Sequence, residues 1–141
     1  MRSVNNNAPV ICRKTILINA DSRKVWTVMT GIDDWATWQT DISYAKLNGD
    51  LKPDVSFDWK SQGAKIHSIL HTVEPNKQFG WMGKSFGLLA VHNWILTEKD
   101  GQTEVTVEES MEGFLAKLLR KLFQANLNKG MQTWIELLNQ E

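Results

Sequence analysis

Two residues, His92 and Glu109, have the types and positions that suit acid–base chemistry. A neutral imidazole can act as a general base or orient a ligand carbonyl, and a carboxylate inside a cavity can also act as the base. Both residues alternate with apolar side chains, so both are predicted to reach the concave side of a sheet. The alternating apolar residues are Leu88, Ala90, Trp94 and Leu96 around His92, and Val105, Val107 and Met111 around Glu109.

Each of the two residues also has a simpler interpretation. A histidine on an apolar face is usually satisfied by a neighbouring strand. Glu109 lies near a strand end, where a carboxylate is usually solvated, and Glu108 on the other face is expected to be a solvent-side charge. We therefore expect His92 and Glu109 to lie apart, or one of them to face solvent. Pairing of the two inside a pocket would instead make an enzyme the first hypothesis.

Other residues of the types used in catalysis and metal binding do not have the spacing that either role requires. His67 and His71 would share one face of a strand but lie far apart along it, with no cysteine or third ligand nearby. The segment Gly80 to Ser85 ends like a phosphate-binding loop, but Gln78 stands where that motif needs a glycine. The sequence therefore predicts no metal site and no cofactor.

Aromatic residues are frequent, with seven tryptophans among 141 residues. Aromatic walls suit an apolar guest held between a curved sheet and a helix. Trp26 and Trp134, on predicted helix faces, are interpreted as core packing. The residues predicted to bind a ligand lie on apolar faces of strands or of the last helix, and they are Phe57, Trp59, Trp81, His92, Trp94 and Met131.

Composition narrows the class of protein. Sixteen basic and sixteen acidic residues cancel, which disfavours nucleic-acid binding and leaves self-association, including a homodimer, open. No stretch approaches the roughly 18 apolar residues that span a bilayer.

Cys12 is the only cysteine, which favours a reducing compartment and a cytoplasmic location. Residues 1–10 lack the apolar stretch of a secretory signal and are predicted to be a frayed tail, which leaves 11–141 as one domain.

The hydrophobic periodicity predicts an α+β protein. A strand at 11–19 is followed by two short helices, a run of about six strands and one long C-terminal helix. Asp21 or Ser22 is expected to cap the first helix and Gly31 to end it. Short turns between the strands, such as the Asp100-Gly101 pair, predict an antiparallel sheet.

The C-terminal helix is predicted to bury one apolar face from Leu115 to Leu138, with Leu119 in the core. Gly130 interrupts this face, which indicates either a bend or the close approach of a backbone or a ligand. The stretch 114–123 at the start is basic and amphipathic, as in helices that lie on a membrane or in a partner's groove. Because the apolar face is needed to close the sheet, a docked helix with a solvated basic edge is favoured.

Several short motifs, taken in order, resemble the START-like superfamily and, within it, the polyketide cyclase/dehydrase branch, also called the SRPBCC group. The motifs are Ala20-Asp21-Ser22-Arg23-Lys24-Val25-Trp26, Asp34-Trp35-Ala36-Thr37-Trp38, Thr72-Val73-Glu74-Pro75, Asn93-Trp94-Ile95-Leu96 and Gly101-Gln102-Thr103-Glu104-Val105, followed by a closing helix from about Gly113. The resemblance implies a helix-grip fold, in which about seven antiparallel strands curl around the C-terminal helix and enclose a cavity. It also implies an apolar ligand such as a lipid, sterol or polyketide, and no shared catalytic motif.

Three functions follow from these expectations. The first is a protein that binds an apolar or amphipathic small molecule, lipid-like or polyketide-like, between the sheet and the C-terminal helix. The second is a polyketide cyclase/dehydrase-type enzyme on the same scaffold, with His92 or Glu109 as the base. The third is a protein-interaction module of the Hsp90-activator type. A buried polar pair in the cavity would favour the enzyme, whereas an exposed apolar patch beside a shallow groove would favour the interaction module.

Overall fold

A computed structural model describes residues 2–85 and 87–140 of the chain. Its centre is one antiparallel sheet of seven strands in the order β1-β7-β6-β5-β4-β3-β2. Strands β2 to β7 follow one another as neighbours, and β1 pairs with β7 at the far edge. The strands are β1 (Val10–Ile18), β2 (Ile42–Leu47), β3 (Ser56–Ser61), β4 (Ala64–Glu74), β5 (Gln78–Ser85), β6 (Leu88–Lys99) and β7 (Gln102–Glu112).

Four α-helices accompany the sheet. Between β1 and β2 lie α1 (Ser22–Thr30), a single 3₁₀ turn (Ile32–Asp34) and α2 (Trp35–Trp38), and after β7 come α3 (Phe114–Leu118) and α4 (Arg120–Gln140). The carboxylate of Asp21 accepts a hydrogen bond from the Lys24 amide at 2.8 Å, as expected of the cap. The long α4 lies against the concave face of the sheet, so the expected α+β helix-grip fold is confirmed.

The core on the concave face is built around Trp35, whose side chain is fully buried. Its ring centroid lies 5.1 to 5.7 Å from those of Phe57, Trp59, Trp81 and Trp134, mostly edge to face. The Trp35 indole N–H donates to the Met29 carbonyl at 3.0 Å, so its one polar atom is satisfied. This cluster joins α2, the central strands and α4, which explains how two helices too short to be stable alone hold their places.

The apolar face predicted for the C-terminal helix is buried only in its second half. Leu127, Met131 and Leu138 are buried, whereas Leu118 and Leu122 are 74% and 55% exposed. The helix is interrupted at Leu119, where the backbone leaves the helical conformation and α3 ends. The interruption shifts the phase of the apolar stripe, and the early leucines turn away from the sheet. The expectation that Leu119 lies in the core is therefore wrong, since that side chain is 41% exposed.

Residues 1–10 were expected to be a frayed tail, but residues 2–9 lie against the convex face of the sheet and Val10 begins β1, while residue 1 lies outside the described residues. Val4 and Ala8 are buried there. Asn93 donates from its side-chain amide to the Arg2 carbonyl at 2.9 Å, and the Asn5 amide donates to the Ser110 hydroxyl at 3.0 Å. We call residues 2–9 the strap. Its apolar contacts and side-chain hydrogen bonds explain why a polar segment is ordered.

Glu108 was expected to face solvent, and the structure contradicts this as well. Its side chain is 8% exposed and accepts two hydrogen bonds from the Arg13 guanidinium, rather than facing solvent. The Asn93 side chain lies beside the same carboxylate, 3.4 Å away. The convex face of the central strands therefore carries a covered polar cluster instead of a solvated surface.

Candidate functional site

A cavity of about 510 Å³ lies between the concave face of the sheet and α4. Strands β3 to β7 and α4 from Phe123 to Trp134 supply most of its walls. The residues that matter most for its chemistry are Trp59, Trp81, His92, Glu109, Met131 and Trp134. A volume of this order is typical of sites that bind small organic molecules.

One row of residues across four strands brings the acid–base groups of the wall together. Cys12 on β1 is opposite Glu109 on β7, Glu109 is opposite His92 on β6, and His92 is opposite Trp81 on β5. Opposite residues in an antiparallel sheet have neighbouring Cβ atoms on the same face. The row therefore places a carboxylate, an imidazole and an indole side by side under α4.

His92 and Glu109 are paired in this row, which contradicts the expectation that they lie apart. The His92 Nδ1 atom lies 2.6 Å from a Glu109 carboxylate oxygen. Their side chains are 3% and 13% exposed. The Trp81 ring stacks on the imidazole with centroids 4.2 Å apart and planes within 6° of parallel. The imidazole is thus fixed by a hydrogen bond at one edge and by an aromatic surface on its face.

The second imidazole nitrogen has no such partner. His92 Nε2 is buried and makes no hydrogen bond within the described part of the chain. A carboxylate oxygen accepts hydrogen bonds, so Nδ1 donates to Glu109 and the lone pair of the neutral ring lies on Nε2. The neighbouring Trp94 indole N–H is also buried without a partner among these residues, with its ring centroid 5.5 Å from that of His92. Unpaired buried polar atoms are rare and call for an explanation.

The turn between β6 and β7 is a sequence feature from which this pairing could have been predicted. Asp100 and Gly101 form a two-residue turn with positive φ angles, so Lys99 is opposite Gln102. Counting seven residues back from Lys99 and seven forward from Gln102 brings His92 opposite Glu109, provided that the ladder has no bulge. The structure shows an uninterrupted register along this hairpin.

Four of the six residues predicted to bind a ligand lie on the cavity wall, and these are Trp59, Trp81, His92 and Met131. Phe57 and Trp94 are fully buried and are not among the described residues that line it. Trp134, interpreted from its sequence as core packing, lines the cavity as well as the core. Ligand binding by any of these residues stays a prediction.

Gly130 also lies on the wall, and no atom would lie within 4 Å of a Cβ added there. The missing side chain therefore leaves open space beside α4. Of the explanations considered for this glycine, the close approach of a backbone is not seen among the described residues, and the approach of a ligand stays a prediction.

The other two histidines lie outside the row, although His67 is among the residues that line the cavity. The exposed His67 pairs with Asp58 at 2.6 Å, and that hydrogen bond lowers the pKa of the Asp58 carboxyl. His71 occupies a bulge in β4 and lies under the strap, where its Nδ1 atom is 2.8 Å from the Thr72 hydroxyl. Burial lowers the pKa of His71 to about 4. Within residues 2–85 and 87–140, no three histidine, cysteine, aspartate or glutamate side chains are grouped to hold a metal ion.

Cys12 ends the polar row but is poorly suited to attack a ligand. It is buried, and burial raises the pKa of its thiol, with a further contribution from the charge of Glu109. A nucleophilic cysteine needs the opposite shift, because the thiolate is the reactive form. The chemistry of the row therefore belongs to His92 and Glu109.

Comparison with known families decides the family of the chain. The family model described as polyketide cyclase/dehydrase and lipid transport matches residues 10–136, which is nearly all of the chain. The chain belongs to this family. A search of curated proteins found no match. The earlier resemblance to the polyketide cyclase branch of the START-like superfamily is thereby confirmed.

Solved structures similar to this member of the polyketide cyclase/dehydrase family share its fold at low identity. A hypothetical protein of Helicobacter pylori has a TM-score of 0.82 and 19% identity, with 98% of this chain and 95% of that chain covered. A START superfamily protein of Mycobacterium smegmatis has a TM-score of 0.66 and 14% identity, with 91% and 98% covered. The di-domain ARO/CYC StfQ of the steffimycin biosynthetic pathway has a TM-score of 0.77 and 11% identity, with 92% and 50% covered. This chain therefore spans about half of that di-domain protein.

None of the described helices is long and apolar enough to cross a membrane. The 21 residues of α4 carry charged and polar side chains on their outer face.

Proposed function

We propose that the protein binds an apolar or amphipathic molecule in the sheet–helix cavity and performs acid–base chemistry on it. His92 is the proton-transfer group, and Glu109 is its positioning residue. The observation that carries this proposal is the 2.6 Å pairing at Nδ1 of a histidine that lines the cavity, because it leaves the buried Nε2 atom without a partner among the described residues. His71 Nε2 is also buried without a hydrogen-bond partner among the described residues, so His92 is distinguished by the carboxylate at its other nitrogen and by the cavity beside it.

The proposed substrate class follows from the aromatic residues that line the cavity and from the single base, His92. Aromatic rings at Trp59, Trp81 and Trp134 suit a flat or polycyclic molecule. The imidazole suits a ketone with acidic hydrogens on the neighbouring carbon and a hydroxyl one carbon further on, as in polyketide-like compounds. The family description, which names cyclases and dehydrases, supports this choice.

The reaction balances with this chain's own residues. Nε2 takes the proton from the carbon next to the carbonyl, and an enolate forms. Glu109 and the face of Trp81 stabilise the imidazolium that results. The imidazolium then returns its proton to the departing hydroxyl, a carbon–carbon double bond forms, and water leaves. No oxidant or reductant is needed.

Access to Nε2 requires a local movement. The atom is covered by neighbouring protein atoms, so a ligand reaches it only when one of them rotates away. Trp134 on α4 is placed to do so, since its ring centroid is 6.5 Å from that of His92 and it also lines the cavity. Side-chain rotation of this kind is a common adjustment on binding.

The test uses acetylnaphthalene, a bicyclic aromatic ketone, in deuterated water. Proton NMR follows the replacement of its methyl hydrogens by deuterium, which reports removal of a proton next to the carbonyl. We expect the wild-type protein to accelerate exchange in a saturable way and His92→Gln to lose most of the acceleration. General acid–base catalysis typically contributes about 10² to 10⁴-fold.

The exposed His67 provides the matched control, since it lines the cavity but pairs with Asp58, and His67→Gln removes an imidazole without changing a residue of the row. Equal exchange rates for wild type, His67→Gln and His92→Gln would sink the catalytic proposal. Binding without accelerated exchange would leave a carrier of apolar molecules as the function.

That carrier is the second candidate, and the open space at Gly130 favours it. Gly130→Leu would place a side chain in this space and reduce the room for a ligand. Titration of tryptophan fluorescence with anthraquinones and fatty acids should show saturable quenching or a shift for wild type and weaker binding for Gly130→Leu. The absence of any response across both ligand classes would count against both functions, because each requires occupancy of the cavity.

We also infer a reducing, cytoplasmic setting for this function. The single, buried Cys12 supports it, because proteins in oxidising compartments commonly use paired cysteines. A folded protein secreted to the periplasm or the medium by its native host, as detected by fractionation, would contradict this inference.

A further inference from the structure

The beginning of the C-terminal helical region exposes a cluster of leucines. Leu118, Leu119 and Leu122 are 74%, 41% and 55% exposed, and the burial of the later part of α4 does not extend to them. Exposed leucines are ordinary when scattered, but these three lie within five consecutive residues. We call Leu118, Leu119 and Leu122 the leucine cluster.

Positive charge surrounds the leucine cluster. Lys117, Arg120 and Lys121 are interleaved with it, and Lys129 follows two turns later. No acidic residue occurs between Glu112 and Glu136, although the whole chain carries as many acidic as basic residues. The segment between Glu112 and Glu136 therefore has a formal charge of +4, whereas the net charge of the whole chain is zero. This is a strong local asymmetry of charge.

The position of α3 is fixed by its contacts with the turn between β5 and β6. The Leu115 amide donates to the Gly87 carbonyl at 3.1 Å, which ties the start of α3 to the β5–β6 turn. Gly113 has φ of 112°, and a Cβ there would lie 2.4 Å from the Gly87 carbonyl oxygen. The close approach requires glycine at 113, so the cluster is presented at a defined place.

That place is beside the cavity. Phe123, Asn126 and Leu127 line the cavity from the first turns of α4, directly after Leu122. Lys84 and Leu88, which flank the β5–β6 turn, line it from the other side. The leucine cluster and its cations therefore border the cavity where α4 begins.

We propose that this segment docks on an anionic lipid bilayer surface, with the leucine cluster inserted between headgroups and the flanking cations paired with lipid phosphates. Interfacial helices combine these two features, apolar residues for insertion and Lys or Arg for the negative surface. Docking brings the bordering cavity next to the bilayer, from which an apolar molecule can enter without crossing water. This inference is independent of the proposed acid–base chemistry, because it concerns the surface of α3 and α4.

The test is co-sedimentation of the full chain with vesicles of phosphatidylglycerol and phosphatidylcholine, compared with vesicles of phosphatidylcholine alone. We expect clear binding to the anionic vesicles, weak binding to the neutral ones, and loss of most anionic binding as salt rises toward ~1 M, where charges are screened beyond about 3 Å. Leu118→Glu with Leu122→Glu should reduce the bound fraction at least fivefold, since both side chains would oppose insertion.

Matched controls separate the surface from general effects. Leu17 is 53% exposed on the opposite face of the sheet, so Leu17→Glu changes an exposed leucine in the same way and should bind like wild type. Lys117→Gln with Lys121→Gln should weaken binding, whereas Lys24→Gln with Lys52→Gln, on exposed residues elsewhere, should not. The substituted residues Leu118, Leu122, Lys117 and Lys121 and the control residue Leu17 are all exposed. The variants should therefore fold, and circular dichroism will verify this.

Two results would overturn the proposal. The first is equal binding of wild type and the double glutamate variant to anionic vesicles. The second is a dimer in light scattering that the double glutamate variant dissociates, together with no vesicle binding by wild type, because the leucine cluster would then be an interface between two copies of the chain.

Discussion

Each face of the sheet carries a histidine, the buried His92 and the partly buried His71, and the surroundings of the two rings differ. On the concave face, His92 is paired with the Glu109 carboxylate and stacked on Trp81, beside a cavity. On the convex face, His71 lies next to a hydroxyl and the Arg2 backbone amide under the strap. A carboxylate partner supports a proton-transfer cycle, whereas burial next to a cation only disfavours the protonated ring. Burial of a histidine alone therefore says little about its function.

Exchange activity should separate the two histidines by the largest margin. We expect His92→Gln to slow deuterium exchange of acetylnaphthalene by about 10² to 10⁴-fold, because the general base is lost. His71→Gln should keep the wild-type rate, because its ring lies on the far side of the sheet. Comparable losses in both variants would mean that the assay reports folding and not the concave site, and thermal melts of each variant would reveal this.

Two glycines offer a comparison of packing on the two faces. A Cβ at Gly80 would lie 2.4 Å from both Asn93 Oδ1 and His71 Cε1, so Gly80→Ala should destabilise the convex cluster by about 1–3 kcal/mol. Gly130→Ala meets open space in the interior of α4 and should stabilise the protein by about 1 kcal/mol. Urea unfolding measures both changes. A stabilised Gly80→Ala would show that the convex side chains move aside at little cost.

Acid stability should depend on the convex histidine. Burial, with a smaller contribution from the Arg2 charge, lowers the pKa of His71 from 6.5 to about 4 in the folded protein. Between these values the unfolded chain binds the proton more readily, so stability is present above pH 6.5 and is lost as the pH falls toward 4. Because the side chain is only partly buried, we expect a loss on the order of 1 kcal/mol.

The measurement for His71 is the difference in melting temperature between about pH 7.5 and about pH 5, which spans most of this range. His71→Gln should show a smaller drop than wild type, since carboxylates and other histidines contribute equally to both proteins. An identical drop would place the acid-sensitive group elsewhere in the chain.

Much of the fold was predictable because local signals agreed with it. The Asp21 cap, the Gly31 stop and the Asp100-Gly101 turn mark element boundaries through backbone chemistry that needs no tertiary context. The strap was not predictable, since its order depends on side chains of β6 and β7 that the local sequence does not reveal. The exposure of Leu118 and Leu122 was missed for a similar reason, because the break at Leu119 changes which face meets the sheet.

The candidate site was predictable in part. Alternation placed His92 and Glu109 on the concave face, and the register of the hairpin would have paired them. Alternation could not show that Trp81 stacks on the imidazole or that Phe57 is fully buried and not among the residues that line the cavity, because both depend on how strongly the sheet curls.

Glu109 should hold the His92 ring with its lone pair on Nε2, and long-range proton–nitrogen NMR of the ¹⁵N-histidine-labelled protein detects which ring nitrogen carries the proton. His67→Gln and His71→Gln assign the three rings. We expect the neutral His92 ring to carry its proton on Nδ1, with Nε2 unprotonated, and the tautomer balance to change in Glu109→Gln. A wild-type His92 ring that carries its proton on Nε2 would contradict the account, because no base would then be available to a ligand in the cavity.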